Sequence, residues 1–380
     1  MSSKNKSYKM KGRYTLIFIS LLLGAAEVMA GSGVPELERG ANVFQYQCEG
    51  YFEGVSLDVY YYIPQQGDIK DMRVQFVMHG VNRNADSYRD SWISYAEQYG
   101  LIILSPMFDK ANFPTSKYQY GNVADDLGGV NSPDKMTYSL IDDIFASFVQ
   151  KYGLNDATYR IYGHSAGAQF VHRFVMFYRS PYLDRAVAAN SGTYTFPTDE
   201  VRYPFGCLGV GGVETLTEKV FETKLVVLLA EGDTIRDDDL NVSAEADNQG
   251  LNRWERGNRF LEKMREFAEQ QGYSICWERF TLPGAAHSNK KMSELAAEVL
   301  YGNYDGIRPV VRRFPRDGRW YDVGGKVVKD YRKGIVIENG RKFIKPITGA
   351  GPSDRFFIMT QDYSWRLMRL FDNDKISKIT

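Results

Sequence analysis

Cysteine and histidine are scarce in this chain of 380 residues, with three of the first and four of the second. So few thiols exclude a disulfide-dense scaffold, and Cys48, Cys207 and Cys276 lack the close spacing of a metal site. At most one internal disulfide can join them, and burial as a small hydrophobe is the plainer use of at least one. The apolar run from Leu16 to Ala26 falls well short of the ~20 residues that a bilayer span needs. Net charge is zero, 47 basic against 47 acidic residues, but it is unevenly divided. Residues 1–30 carry +4, residues 31–305 carry −13 and residues 306–380 carry +9. An acidic body repels phosphate, so a nucleic-acid surface is excluded there.

What is present is apolar mass. Hydrophobic residues make up 43% of the chain and aromatics 14%, enough to bury a large core and to exclude intrinsic disorder. Residues 1–30 have the layout of a cleavable secretory signal: Lys4 to Arg13 basic, then the apolar run, then Val28-Met29-Ala30 with small residues at the cleavage positions. Cleavage is expected after Ala30, which would make the protein secreted or periplasmic.

Strand-like runs at Ser56–Ile63, Val74–Met78, Leu101–Leu104, Tyr159–Tyr162, Arg185–Ala189, Leu225–Ala230 and Ile275–Thr281 alternate with helical stretches. The helices are expected at Ser87–Tyr99, Thr137–Lys151, Ala166–Tyr178, Arg253–Gln271 and Lys290–Tyr301. Such alternation predicts an α/β domain over 31–305, a mostly parallel sheet with helices on both faces and ligands bound beyond the strands' carboxyl ends. Two long loops, 108–133 and 193–218, are candidate pocket walls. From about residue 306 the period changes to short β runs at Arg319–Val323, Lys326–Lys329, Gly334–Glu338 and Arg341–Lys345, with Asn339-Gly340 a hairpin turn signal. Residues 306–380 therefore read as a small basic β-rich appendage. The apolar run Phe356–Phe371 in it has no assignable type. The appendage is expected to dock on the acidic body or, alternatively, to bind an anionic glycan or envelope surface.

Gly163-His164-Ser165-Ala166-Gly167 is a G-x-S-x-G string between a strand and a helix, the context of a nucleophile elbow. Its flanking glycines permit a sharp turn that leaves the Ser165 hydroxyl exposed. A serine needs a base, and the base needs an orienting acid. His164 adjoins the serine, His172 lies within the following helix and His79 ends an earlier strand, which leaves His287, in a loop after the last strand. The acid falls between serine and histidine in chain order, where Asp233 follows the most apolar strand, with Asp237 in reserve and Glu231 third. The oxyanion hole is expected from the backbone N–H groups of Ala166 and Val81. Arg83 or Asn82 could contact substrate, a surface role being the other reading. Of the loop aromatics (Phe108, Phe113, Tyr118, Tyr120, Tyr194, Phe196, Tyr203, Phe205), Tyr194 is the favoured acyl-site wall, although half of the set could equally pack as core.

Taken in order, His79-Gly80, Gly163 to Gly167, Gly232-Asp233 and His287 resemble an α/β-hydrolase. Through His79 to Asp86 and Gly163 to Gln169, the chain is similar to secreted esterases of the polyhydroxybutyrate depolymerase and feruloyl esterase group, over roughly residues 50–300. The resemblance implies a serine hydrolase acting on a small-molecule or polymer ester, without metal or organic cofactor. A peptidase or amidase on the same triad, and a non-catalytic binding protein using the basic tail, are the alternatives.

Overall fold

A computed structural model describes residues 34–125 and 127–302 with their side chains, and the backbone of strands at 334–338, 341–345, 355–359, 365–371 and 375–378. The secretory segment 1–30, the runs at Arg319–Val323 and Lys326–Lys329, and the Asn339-Gly340 turn lie outside the described residues. The chain forms two compact units, Met1–Tyr304 and Asp305–Thr380.

The first unit is built on an eight-stranded sheet: β1 (Gly40–Gln47), β2 (Ser56–Ile63), β3 (Arg73–Met78), β4 (Leu101–Pro106), β5 (Tyr159–His164), β6 (Leu183–Ala189), β7 (Lys224–Ala230) and β8 (Glu278–Leu282). Spatial order is β1-β2-β4-β3-β5-β6-β7-β8. The β1–β2 and β2–β4 pairs are antiparallel, and every later neighbour is parallel. Helices α1 (Ala85–Asp90), α2 (Ile93–Tyr99), α3 (Ser139–Tyr152), α4 (Ala166–Phe177), α5 (Glu218–Glu222), α6 (Ala244–Gln249), α7 (Arg253–Gln271) and α8 (Asn289–Tyr301) fill the connections.

Side chains alternate across a strand, so a strand covered on both faces must be apolar at nearly every position. In β7, Leu225, Val227 and Leu229 enter one core with Phe145, Phe170 and Phe260 from α3, α4 and α7. Val226, Leu228 and Ala230 enter a second core with Trp92, Ala96 and Leu295 from the α1–α2 connection, α2 and α8. Parallel order reverses at β3, which has β4 on one side and β5 on the other. Beyond the carboxyl ends of strands at such a switch point a crevice opens.

Two expectations need correction. The stretch 87–99 is two helices rather than one, broken at Ser91–Trp92. The Trp92 ring is fully buried 5.3 Å from that of Tyr162, and the chain turns there to seat it. Strand β1 is an additional edge strand, buried only at Gly40, Phe44 and Tyr46. The second unit contains five antiparallel strands, β9 (Gly334–Glu338), β10 (Arg341–Lys345), β11 (Arg355–Met359), β12 (Trp365–Phe371) and β13 (Lys375–Lys378). The run 356–371 is thus two strands paired antiparallel.

Candidate active site

Ser165 sits between β5 and α4 at φ 58°, a left-handed conformation that costs a non-glycine residue about 1–3 kcal/mol and must be enforced from outside. The enforcement is close packing by two glycines. A methyl on Gly163 would lie 2.2 Å from the Gly167 carbonyl oxygen, and one on Gly167 would lie 2.2 Å from that of Met78. Helix α4 is buried from Ala166 to Met176, so the elbow cannot relax outward. The Ser165 N–H donates to Ala189 O at 3.0 Å, anchoring the turn to β6.

The strand order brings distant loops to the same edge. Gly232 N–H donates to Ala285 O at 2.7 Å, joining the turn after β7 to the turn after β8. Asp233 and His287 are thereby brought together across 54 positions, and the His287 Nδ1–H donates to Asp233 Oδ2 at 2.6 Å. Asp233 is 2% exposed, so this charge-assisted bond is shielded from water. The second Asp233 oxygen lies 3.5 Å from Arg253 Nη1. Asp237, the reserve acid, instead holds Arg253 in a bidentate pair at 2.8 Å and 2.8 Å. Glu231 is exposed and donates its backbone N–H to Leu282 O. The residues that follow Asp233 form a rim, in which α6 lies and from which Asp247 pairs with Arg236 and Arg256.

His287 stands over the elbow with its ring 4.4 Å from that of His164, the residue before Ser165. No hydrogen bond joins Ser165 Oγ to His287. An open cleft of about 260 Å³ reaches Ser165, with Val81, Ala166 and Gln169 on its inner side and Asp238 to Asn241 on the rim. Among the described residues, neither the Val81 nor the Ala166 N–H has a hydrogen-bond partner. Two free backbone donors therefore border the serine, one of them at a helix N-terminus.

The other histidines are structural. Burial holds the His79 imidazole down to about 3, and the ring is fixed between Gly80 O (3.0 Å) and the Phe108 N–H (3.1 Å). His172 likewise bridges Ala168 O and the Thr195 N–H. Burial, and next the charge of His287, push His164 well below its ordinary value; its Nδ1 meets the Tyr88 hydroxyl at 3.1 Å.

Two expected substrate contacts are placed elsewhere. Tyr194 has no exposed surface: its ring stacks on Phe260 at 4.4 Å, in the core under its own loop. Arg83 donates to Phe108 O at 2.8 Å and Phe113 O at 3.1 Å, and its guanidinium lies over the Tyr118 ring at 4.3 Å. It holds the 108–118 loop rather than reaching the cleft. Of the other loop aromatics, Phe108, Phe113 and Tyr118 are core, whereas Tyr120 lines the cleft. Gln169 was not anticipated from sequence; it lies one helical turn beyond Ser165, which was the available signal. Cys48 and Cys207 are buried free thiols, each pushed up to about 12 by burial, and Cys276 is free and exposed.

No protein-family model and no curated protein sequence matches the chain. Among solved structures it is similar to poly(aspartic acid) hydrolase-1 from Sphingomonas sp. KT-1, at 35% identity and a TM-score of 0.64, covering 70% of this chain and 100% of that one. It is also similar to LpqC, a poly(3-hydroxybutyrate) depolymerase from Bordetella parapertussis, at 29% identity and a TM-score of 0.67, covering 72% of this chain and 92% of that one. The chain belongs to the α/β-hydrolase superfamily. Within it the relatives are of the polyhydroxybutyrate depolymerase kind, and the protein is an enzyme of the serine esterase type.

Proposed function

We propose that this protein is a secreted esterase in which Ser165 attacks the ester carbonyl and His287 accepts the serine proton at Nε2. Asp233 keeps the His287 proton on Nδ1 and balances the imidazolium that forms. The N–H groups of Val81 and Ala166 receive the charge that develops on the carbonyl oxygen. His287 then returns its proton to the departing alcohol, and water repeats the sequence on the acyl-serine to release the acid. The observation that carries this reading is the buried 2.6 Å Asp233–His287 bond at the edge where the strained serine stands beside two unpartnered donors.

The relatives' names point to two polymer chemistries, a polyester and a polyanionic polyaspartate. A body of −13 with unpaired carboxylates at the cleft favours the ester over the polyanion. Fluorophosphonate labelling and hydrolysis of an ester panel of varied acyl length and aromaticity test the reading. Wild type should react in both assays and Ser165→Ala in neither; equal labelling of the two proteins would refute the role of Ser165. Secretion rests on the pattern of residues 1–30, and is tested by the amino-terminal sequence of the exported protein, expected to begin at Gly31.

A further inference from the structure

We infer that the cleft beside Ser165 selects esters that carry a positive charge, with Asp238 and Asp239 as the charge-selecting residues. This rests on the reading of Ser165 as nucleophile and adds the substrate class. Both aspartates line the cleft and both are exposed. Neither has an ion-pair partner among the described residues, unlike their neighbours: Asp237 is taken by Arg253, Asp247 by Arg236 and Arg256. The cations nearest in sequence are thus already paired, and the rim presents two uncompensated carboxylates to whatever enters.

The inner wall supplies an independent sign of a polar ligand. Gln169 lines the cleft at only 8% exposure. Its Oε1 accepts from Thr193 Oγ1 at 2.7 Å and faces Arg173 Nη1 at 3.5 Å. Arginine only donates, so the amide oxygen is fixed on that side and Nε2 on the other. Nε2 lies against Gly192, another cleft residue, at 3.0 Å from where a methyl there would sit, and has no hydrogen-bond partner among the described residues. Gln169 therefore offers the cleft a free donor for an acceptor atom of the ligand. An acceptor at Gln169 and a cation at the rim together describe a polar, positively charged ester.

The test uses matched pairs on the whole protein: a choline ester against its 3,3-dimethylbutyl isostere, and the ethyl ester of 4-(trimethylammonio)butyrate against that of 5,5-dimethylhexanoate. In each pair only the charge differs, on the alcohol side in the first and on the acyl side in the second. In at least one pair, kcat/KM should favour the cation about fivefold at low ionic strength, as expected of two unit charges several ångströms away across partly screened solvent. That ratio should shrink toward one as salt is raised, and in Asp238→Asn/Asp239→Asn it should fall to within about twofold of one. Hydrolysis of the neutral esters with no cation preference in either pair, or a preference that the double substitution leaves intact, overturns the inference while the esterase reading stands. If wild type and Ser165→Ala are equally inert to all four esters, the esterase reading itself fails, and the inference with it.

Discussion

Replacing Asp233 with asparagine tests the proposed chemistry at its least ambiguous contact. The two Asp233 oxygens face different partners, Oδ2 the His287 Nδ1–H at 2.6 Å and Oδ1 the Arg253 Nη1 at 3.5 Å. An asparagine must put its NH₂ at one of these places. Toward Arg253 it would set donor against donor, so the amide nitrogen is driven to the His287 side, where it can only donate. Nδ1 must then be the acceptor, and the imidazole proton moves to Nε2, the nitrogen needed as base. Inverting the tautomer in this way costs about 10⁴-fold in kcat in a serine-protease triad, or ~5.5 kcal/mol of transition-state stabilisation, and the same order is expected here. KM should change little, because Asp233 is buried and does not line the cleft. The fold should survive, because Arg253 keeps its two 2.8 Å bonds to Asp237; a stability loss of about 1–3 kcal/mol is expected. The assay is steady-state hydrolysis of a chromogenic ester together with urea unfolding, and Asp237→Asn is the comparison, expected to lose less than about tenfold since it touches arginine rather than histidine. A folded Asp233→Asn protein with kcat within tenfold of wild type, or an Asp237→Asn protein as impaired as Asp233→Asn, would refute the assignment of the acid.

Gly167→Ala places a methyl 2.2 Å from the Met78 carbonyl oxygen, backbone against backbone, so soluble yield and urea midpoint should drop sharply, by more than about 3 kcal/mol; near-wild-type stability would show that the elbow is looser than described. Arg83→Met removes two hydrogen bonds and a ring contact from the 108–118 loop, for an expected loss of about 3 kcal/mol, while turnover of saturating ester should be far less affected. A normal melting temperature would contradict the scaffolding role. Stability should also fall as pH drops below about 6.5, the ordinary histidine value. His79, His164 and His172 are buried and held neutral, so the unfolded chain binds more protons than the native one, and that contribution is present above this pH and lost below it. Three such groups amount to at most about 4 kcal/mol per pH unit, offset in part by Asp142, whose carboxyl is pushed up by burial and works in the opposite sense. Urea midpoints equal at pH 7.5 and 5.5, or higher at 5.5, would contradict this.

Local sequence was enough wherever an element is determined by its own residues. Strand β7 reads as doubly covered because Leu225 to Ala230 are all apolar, and α7 was bounded correctly at Arg253–Gln271, between the Asn252 cap and Gly272. The strand–Gly-x-Ser-x-Gly–helix order likewise located the strained serine, since glycines at 163 and 167 are needed only where backbone meets backbone. Everything decided by strand order was beyond that reach. Chain order ranks Asp233 ahead of Asp237 and Glu231, but its contact with His287 is made by the Gly232–Ala285 hydrogen bond that joins the turns after β7 and β8. Arg83 and Tyr194 suited a substrate role by position and chemistry, yet the loops fold over them and give them partners in the interior. Period and composition register a residue's neighbours along the chain; which distant loop covers it, and whether a charge at 238 or 239 finds a counterion, is settled only when the strands take their places in the sheet.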